Sequence, residues 1–128
     1  MRIGVPAESK VGERRVAATP KTVEQLRKLG YEVAIQAGAG HGASFEDAAY
    51  EAAGAQIVDD PWGADILMKI NPPTADEIER LHSGQILVSL LAPALDPDLV
   101  AALQAKGVTA MAMDAVPRIS RAQALDVL

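Results

Sequence analysis

Between Arg118 and Asp126 the chain packs two arginines, a serine, a glutamine and an aspartate into nine positions, directly after the apolar run 108–113. Arg118 and Arg121 carry planar, permanent cations suited to two-pronged contacts with phosphate or carboxylate. Gln123 offers an amide donor and acceptor, the complement of another carboxamide. Asp126 can orient Arg118 or Gln123, or accept from a ligand hydroxyl. Ser120 and Gln123 also read as a capping box, with a hydroxyl at the N-cap and its partner at the third helical position. The box alone leaves two arginines unexplained, so a helix start and a ligand loop are expected together.

Two further cations stand where strands end. Lys69 lies near the close of the apolar run 66–70, where a charge costs solvation unless it faces a crevice. A functional lysine and one that snorkels from a strand end both fit. Arg15 sits in a crowded loop with Glu8, Lys10, Glu13 and Arg14, beside the apolar Val16-Ala17-Ala18. It reads either as a solvated loop charge or as an arginine at the mouth of a cleft, placed to meet an anion.

The other candidates are weaker. Gly38, Gly40 and Gly42 follow a G-x-G-x-G spacing, one residue short of the dinucleotide fingerprint, and read as a turn. His41 and His82 are isolated at surface positions, and no metal site is expected. Met68, Met111 and Met113 read as core filler.

The elements that must position these groups alternate. Strands are expected at 2–5, 32–36, 57–58, 66–70, 86–91 and 108–113. Helices are expected from Pro20 (capped by Thr19 and stopped at Gly30), over 45–53 (capped by Ser44 and ended at Gly54), over 77–81, over 98–106, and from Arg121 onward. Such alternation with short connections predicts an α/β fold, a three-layer Rossmann-like (flavodoxin-like) parallel sheet with helices on both faces. Loops leaving the strand ends of such sheets are where ligands bind.

Composition narrows the function. The 128 residues fit one domain, and 49% are hydrophobic, enough to fill a core. The net charge of −5 disfavours sequence-independent binding to nucleic acid. Without cysteine there is neither disulfide nor thiolate zinc site, which suits the cytosol. No window of about 18 apolar residues exists to insert directly into a membrane.

At these residues the chain resembles the N-terminal part of the alpha subunit of proton-translocating NAD(P) transhydrogenase, in the alanine dehydrogenase/transhydrogenase N-terminal domain family. The likeness runs through all 128 residues. It begins with Arg2-Ile3-Gly4-Val5-Pro6 and Glu13-Arg14-Arg15-Val16-Ala17-Ala18-Thr19-Pro20, and continues through Gly38-Ala39-Gly40, Leu67-Met68-Lys69-Ile70 and Val88-Ser89-Leu90. Its most specific stretch runs from Met111 through Asp114, Pro117, Arg118, Ile119, Ser120 and Arg121 to Gln123. Alanine dehydrogenase shares the arginine at Arg15 and the lysine at Lys69. It also carries a catalytic histidine at the end of the strand matching 88–91. Here that segment reads Leu90-Leu91-Ala92-Pro93, without the acid/base group that amino-acid dehydrogenation needs.

The resemblance implies an oxidoreductase subunit that binds NAD(H) and exchanges hydride with NADP(H) held on a partner domain. Membrane-spanning components would couple the exchange to proton translocation. Arg118, Ile119, Ser120 and Arg121 would touch the cofactor. Gln123 would hold the dihydronicotinamide near its acceptor, and Asp126 would steady the loop, making these two the catalytic pair. The chain would be the first subdomain of a larger NAD(H)-binding subunit whose glycine fingerprint and completing C-terminal segments lie elsewhere. Implied too are a homodimer, a cytoplasmic place peripheral to the membrane through partner subunits, and weak or no NAD(H) affinity for this chain alone. The alternatives are an alanine-dehydrogenase-like oxidoreductase and a non-catalytic binding or assembly module.

Overall fold

The structure, a computed structural model, describes residues 1–89 and 97–112. Its elements in chain order are β1 (Arg2–Val5), α1 (Pro20–Lys28), β2 (Glu32–Gln36), a 3-10 turn (His41–Ala43), α2 (Asp47–Ala52), β3 (Gln56–Val58), β4 (Ile66–Met68), α3 (Ala75–Arg80), β5 (Ile86–Ser89), α4 (Pro97–Ala105) and β6 (Thr109–Ala112). The strands form one parallel sheet in the order β3-β2-β1-β4-β5-β6. This doubly wound order, 3-2-1-4-5-6, reverses direction between β1 and β4.

Strand periodicity sorts the core onto two faces. Ile3, Val5, Val33, Ile35, Met68 and Val88 pack with Val23 and Leu26 of α1 and Tyr50 of α2. The intervening residues Leu67 and Leu87 point the other way, into a second cluster with Trp62, Leu81, Val108, and Leu99 and Leu103 of α4. Gly4 shares that second face, where a Cβ would run into the Pro61 carbonyl and come within 2.9 Å of the Ala64 Cβ. The β3–β4 connection thus lies flat against the sheet where β1 meets β4.

The helix ends follow local chemistry. Thr19 caps α1 by accepting from the Thr22 amide at 3.1 Å. Gly30, at φ 98°, closes the helix with paired bonds from Gly30 N to the Arg27 carbonyl and from Tyr31 N to the Leu26 carbonyl.

Four expectations need correction. Ser44 does not cap α2: it sits at φ 69°, closing the 3-10 turn, whereas an N-cap requires extended backbone. Phe45 N donates to the Gly40 carbonyl at 2.8 Å, so this stretch is spent on the turn and α2 starts only at Asp47. The helix expected at 77–81 begins earlier, because Thr74 and Glu77 form a capping box and Glu77 is its third residue. Met68 is buried, but Met111 is 40% exposed on β6, the end strand of the described sheet; Met113 lies outside the described residues. Finally, β4 ends at Met68 rather than residue 70, for a reason that leads to the site.

Candidate functional site at the carboxyl ends of β1 and β4

Lys69 N still donates to the Val88 carbonyl at 3.0 Å, continuing the ladder one residue past β4. Beyond it, β1 offers no further backbone partner, since β1 ends at Val5 and its register with β4 stops at Gly4 and Leu67. The Glu8 carboxylate fills the gap. One oxygen accepts from Ile70 N at 2.9 Å, and the other from Asn71 N at 3.0 Å. The chain leaving β4 is therefore held by a side chain from the β1 exit, across the point where the strand order reverses. In sheets of this kind the loops diverge there and leave a crevice.

The same carboxylate takes two more donors. Lys69 Nζ lies 2.9 Å from Glu8 Oε1, and the Asn71 side-chain amide lies 3.3 Å from it. The Lys69 side chain is 1% exposed and that of Glu8 2%. Lys69 therefore neither snorkels to solvent nor lies open: it turns inward onto a carboxylate. A second carboxylate stands 3.8 Å away, that of Glu77 from the start of α3. Its oxygens also accept from Thr74 N at 2.9 Å and from the Ser9 hydroxyl at 3.3 Å. A buried ammonium with two carboxylates is tolerable only because the remaining lone pairs are met by these donors.

Asn71 extends the network outward. Its side-chain amide donates to Glu13 Oε1 at 2.8 Å, while its carbonyl accepts from the buried Ser89 hydroxyl at 2.9 Å, at the end of β5. Glu13 in turn holds Arg15 along one edge, accepting from Nε at 3.0 Å and from Nη2 at 2.9 Å. Hydrogen bonds from Arg15, then from Asn71, keep the Glu13 carboxyl well below the usual carboxylate range. The same pairing raises the Arg15 guanidinium further above its already high value. Among the described residues no group takes Arg15 Nη1, and the side chain is 66% exposed. The guanidinium is thus fixed along one edge and open along the other, an arrangement able to receive a carboxylate or phosphate.

A cleft of about 310 Å³ opens beside this network, with Glu8 and Glu77 in its wall together with Gln36, Trp62, Asp76 and Arg80. Glu8 and Glu77 turn to Lys69 rather than to solvent, and no group of three or more potential metal ligands occurs among the described residues.

Arg15 and Lys69, predicted separately, are thus joined through Glu13, Asn71 and Glu8. Glu8 and Glu13 were visible in the sequence only as loop charges and Asn71 only as a strand breaker; Glu77 and Ser89 were missed as site residues. The pairing signal was an acidic residue just after β1 facing a lysine just after β4, legible once both are set at one end of a parallel sheet. The glycine run is a turn: Gly38 has φ 78° and its N–H is taken by Asp47 at 2.9 Å, and a Cβ on Gly40 would strike the Tyr50 ring. His41 and His82 are exposed, His41 lying 3.2 Å from Glu46. Arg118, Ile119, Ser120, Arg121, Gln123 and Asp126 lie outside the described residues.

Known proteins share this architecture. Over its full length the chain is 52% identical to the NAD(P) transhydrogenase subunit alpha of Haemophilus influenzae, of which it covers 25%. Over 91% of its length it is 45% identical to the alanine dehydrogenase of Bacillus subtilis, covering 32% of that protein. A transhydrogenase structure from Sinorhizobium meliloti superposes on 98% of the chain with a TM-score of 0.91 at 35% identity, the match covering 39% of that molecule. The chain thus spans about a quarter of the length of the curated transhydrogenase relative. The profile of the alanine dehydrogenase/PNT N-terminal domain matches residues 4–128, and the chain belongs to that family.

Proposed function

We propose that this chain is the first subdomain of the NAD(H)-side subunit of an NAD(P) transhydrogenase, with hydride passing between NAD(H) and NADP(H) and coupled to proton translocation. The observation that carries the reading is the 52% identity to a transhydrogenase alpha subunit over the entire chain, the segment with Arg118, Gln123 and Asp126 included. The alanine dehydrogenase match covers 91% of the chain, and the sequence lacks a histidine at 90–93. Both facts favour the transhydrogenase over the amino-acid dehydrogenase.

In this reading the cofactor's pyrophosphate is held by a separate glycine-fingerprint subdomain, while this subdomain covers the nicotinamide. Arg118, Ile119, Ser120 and Arg121 contact the cofactor. Gln123 holds the ring carboxamide, and Asp126 steadies the loop. Arg15 turns its open guanidinium edge to the ligand, and the buried Lys69 backs that face from beneath. Hydride transfer needs no protein acid or base, so these residues act by holding two rings close and aligned. NADP(H) sits on a partner domain, the membrane-spanning parts belong to other components, and the assembly is a homodimer peripheral to the membrane on the cytoplasmic side. Among the described residues no helix is long and apolar enough to cross a membrane.

The test uses the full-length protein with its partner components. Hydride transfer from NADH to an NADP⁺ analogue is expected, and NADH oxidation dependent on pyruvate and ammonia is not. Gln123→Asn should slow transfer on the order of 10²-fold while leaving the NAD(H) Kd nearly unchanged, since it displaces the ring without removing the main binding contacts. Robust pyruvate- and ammonia-dependent turnover would replace this reading with the dehydrogenase.

A further inference from the structure

Glu8 occupies an unusual place for a loop carboxylate: it is buried, it accepts two consecutive backbone amides where β4 runs out of ladder, and it holds the Lys69 ammonium at 2.9 Å. Through Asn71, bonded to both Glu8 and Glu13, it is linked to the residue that grips Arg15 by its Nε edge. Lys69 and Arg15 are therefore set by one hydrogen-bonded chain, two carboxylates joined by the Asn71 amide that donates to both. We propose that Glu8 is a positioning residue: it fixes the buried Lys69 ammonium and, through Asn71 and Glu13, the place of Arg15, so that the open guanidinium edge is presented to the ligand from a single prearranged unit. This rests on the reading that the crevice faces the nicotinamide-nucleotide ligand, and it adds the residue that sets the geometry of that face.

The chemistry requires a carboxylate of this length. A glutamine has one acceptor oxygen, and its amide nitrogen would point donors at Ile70 N–H or at Lys69 and Asn71 N–H, all of which are donors themselves. An aspartate is one methylene shorter than the span between the two loops. Glu8→Gln, nearly isosteric, is thus expected to release Lys69 and the β4 exit together.

Two readouts test this. Amine acylation of the full-length protein, mapped by peptide mass spectrometry, should leave Lys69 unmodified while the exposed Lys10, Lys21 and Lys28 are labelled. In Glu8→Gln, Lys69 should become labelled as well. Continued protection in that variant, or free labelling of Lys69 in the parent, overturns the proposal.

The second readout is a cycle on NADH-dependent hydride transfer with Glu8→Gln, Lys69→Met and the double variant. Each single change should lower kcat/KM by on the order of 10²-fold, and the double no further than the worse single, because Glu8 acts through Lys69. Additive losses overturn the positioning role. If labelling behaves as expected but neither single change alters turnover, the crevice does not face the ligand: that reading falls, while the hold of Glu8 on Lys69 stands. Should Glu8→Gln fail to fold, Glu13→Gln loosens the Arg15 arm alone and should raise KM for NADH with kcat retained; an unchanged KM overturns the proposal.

Discussion

At the scale of single residues, the Lys69 ammonium is the most exacting group among the described residues, because the energy of a buried charge depends on its partners keeping their places. Glu8→Ala would leave it beside the more distant Glu77 and strip acceptors from two backbone amides. A loss of about 3–5 kcal/mol is expected, read from denaturant unfolding with an unchanged m-value. Glu13 makes a different demand. Arg15 and Asn71 hold its folded-state carboxyl well below the ordinary 4.5, so the folded chain binds this proton less readily than the unfolded one. Its contribution to stability is complete above about pH 4.5 and declines as pH falls further. Stability curves of the parent and of Glu13→Gln should therefore stand apart above pH 4.5 and approach each other in acid. Curves separated by the same amount throughout would show that the carboxyl is not perturbed.

Among the elements, α2 shows how a helix can be misread while its end is read well. Gly54, at φ 103°, stops it as expected, with Ala55 N bonded to the Tyr50 carbonyl at 3.0 Å. Its start was hidden, because Ser44 has the composition of a cap but the backbone of a turn. The turn serves Tyr50, whose ring packs against Gly40 and edge-on to Phe45, and whose hydroxyl reaches the Ala18 carbonyl at 2.8 Å. Burial, then the charge of Asp47, pushes this phenol up to about 12. Tyr50 thus ionises in the unfolded chain first, and stability should fall as pH rises from about 10 toward 12. Tyr50→Phe should cost about 1–2 kcal/mol at neutral pH, since the Ala18 carbonyl loses its partner, and should flatten that alkaline decline. A variant as alkali-sensitive as the parent would assign the effect to other groups. The parallel α/β sheet was legible from strand–helix alternation, whereas the strand order, set by which distant strands pair, was not read. Nor was the shortening of β4, because it is decided by a side chain 62 residues from the Ile70 amide it captures.

For the whole molecule, legibility divides along the same line. Fold and family were carried by patterns spread over many residues, while the Glu8–Asn71–Glu13 linkage depends on two loops meeting, which no local pattern encodes. If the nicotinamide side alone is built here, the 128-residue chain should bind NADH weakly or not at all by calorimetry, and the full-length protein substantially better. Tight binding by the short chain would place the pyrophosphate site within it. The sheet itself is joined unevenly. Four residue pairs align β1 with β2, but only two align β1 with β4, so the halves β3-β2-β1 and β4-β5-β6 meet along a narrow seam. Side chains finish the stitching at both ends, Asp65 accepting from Arg2 N at 2.8 Å and Glu8 from Ile70 and Asn71. Such a seam is a fracture line. In native-state hydrogen exchange the amides of Ile70 and Asn71 should be protected although they belong to no strand, and they should open before the β1–β2 ladder does, marking the boundary at which the two halves come apart.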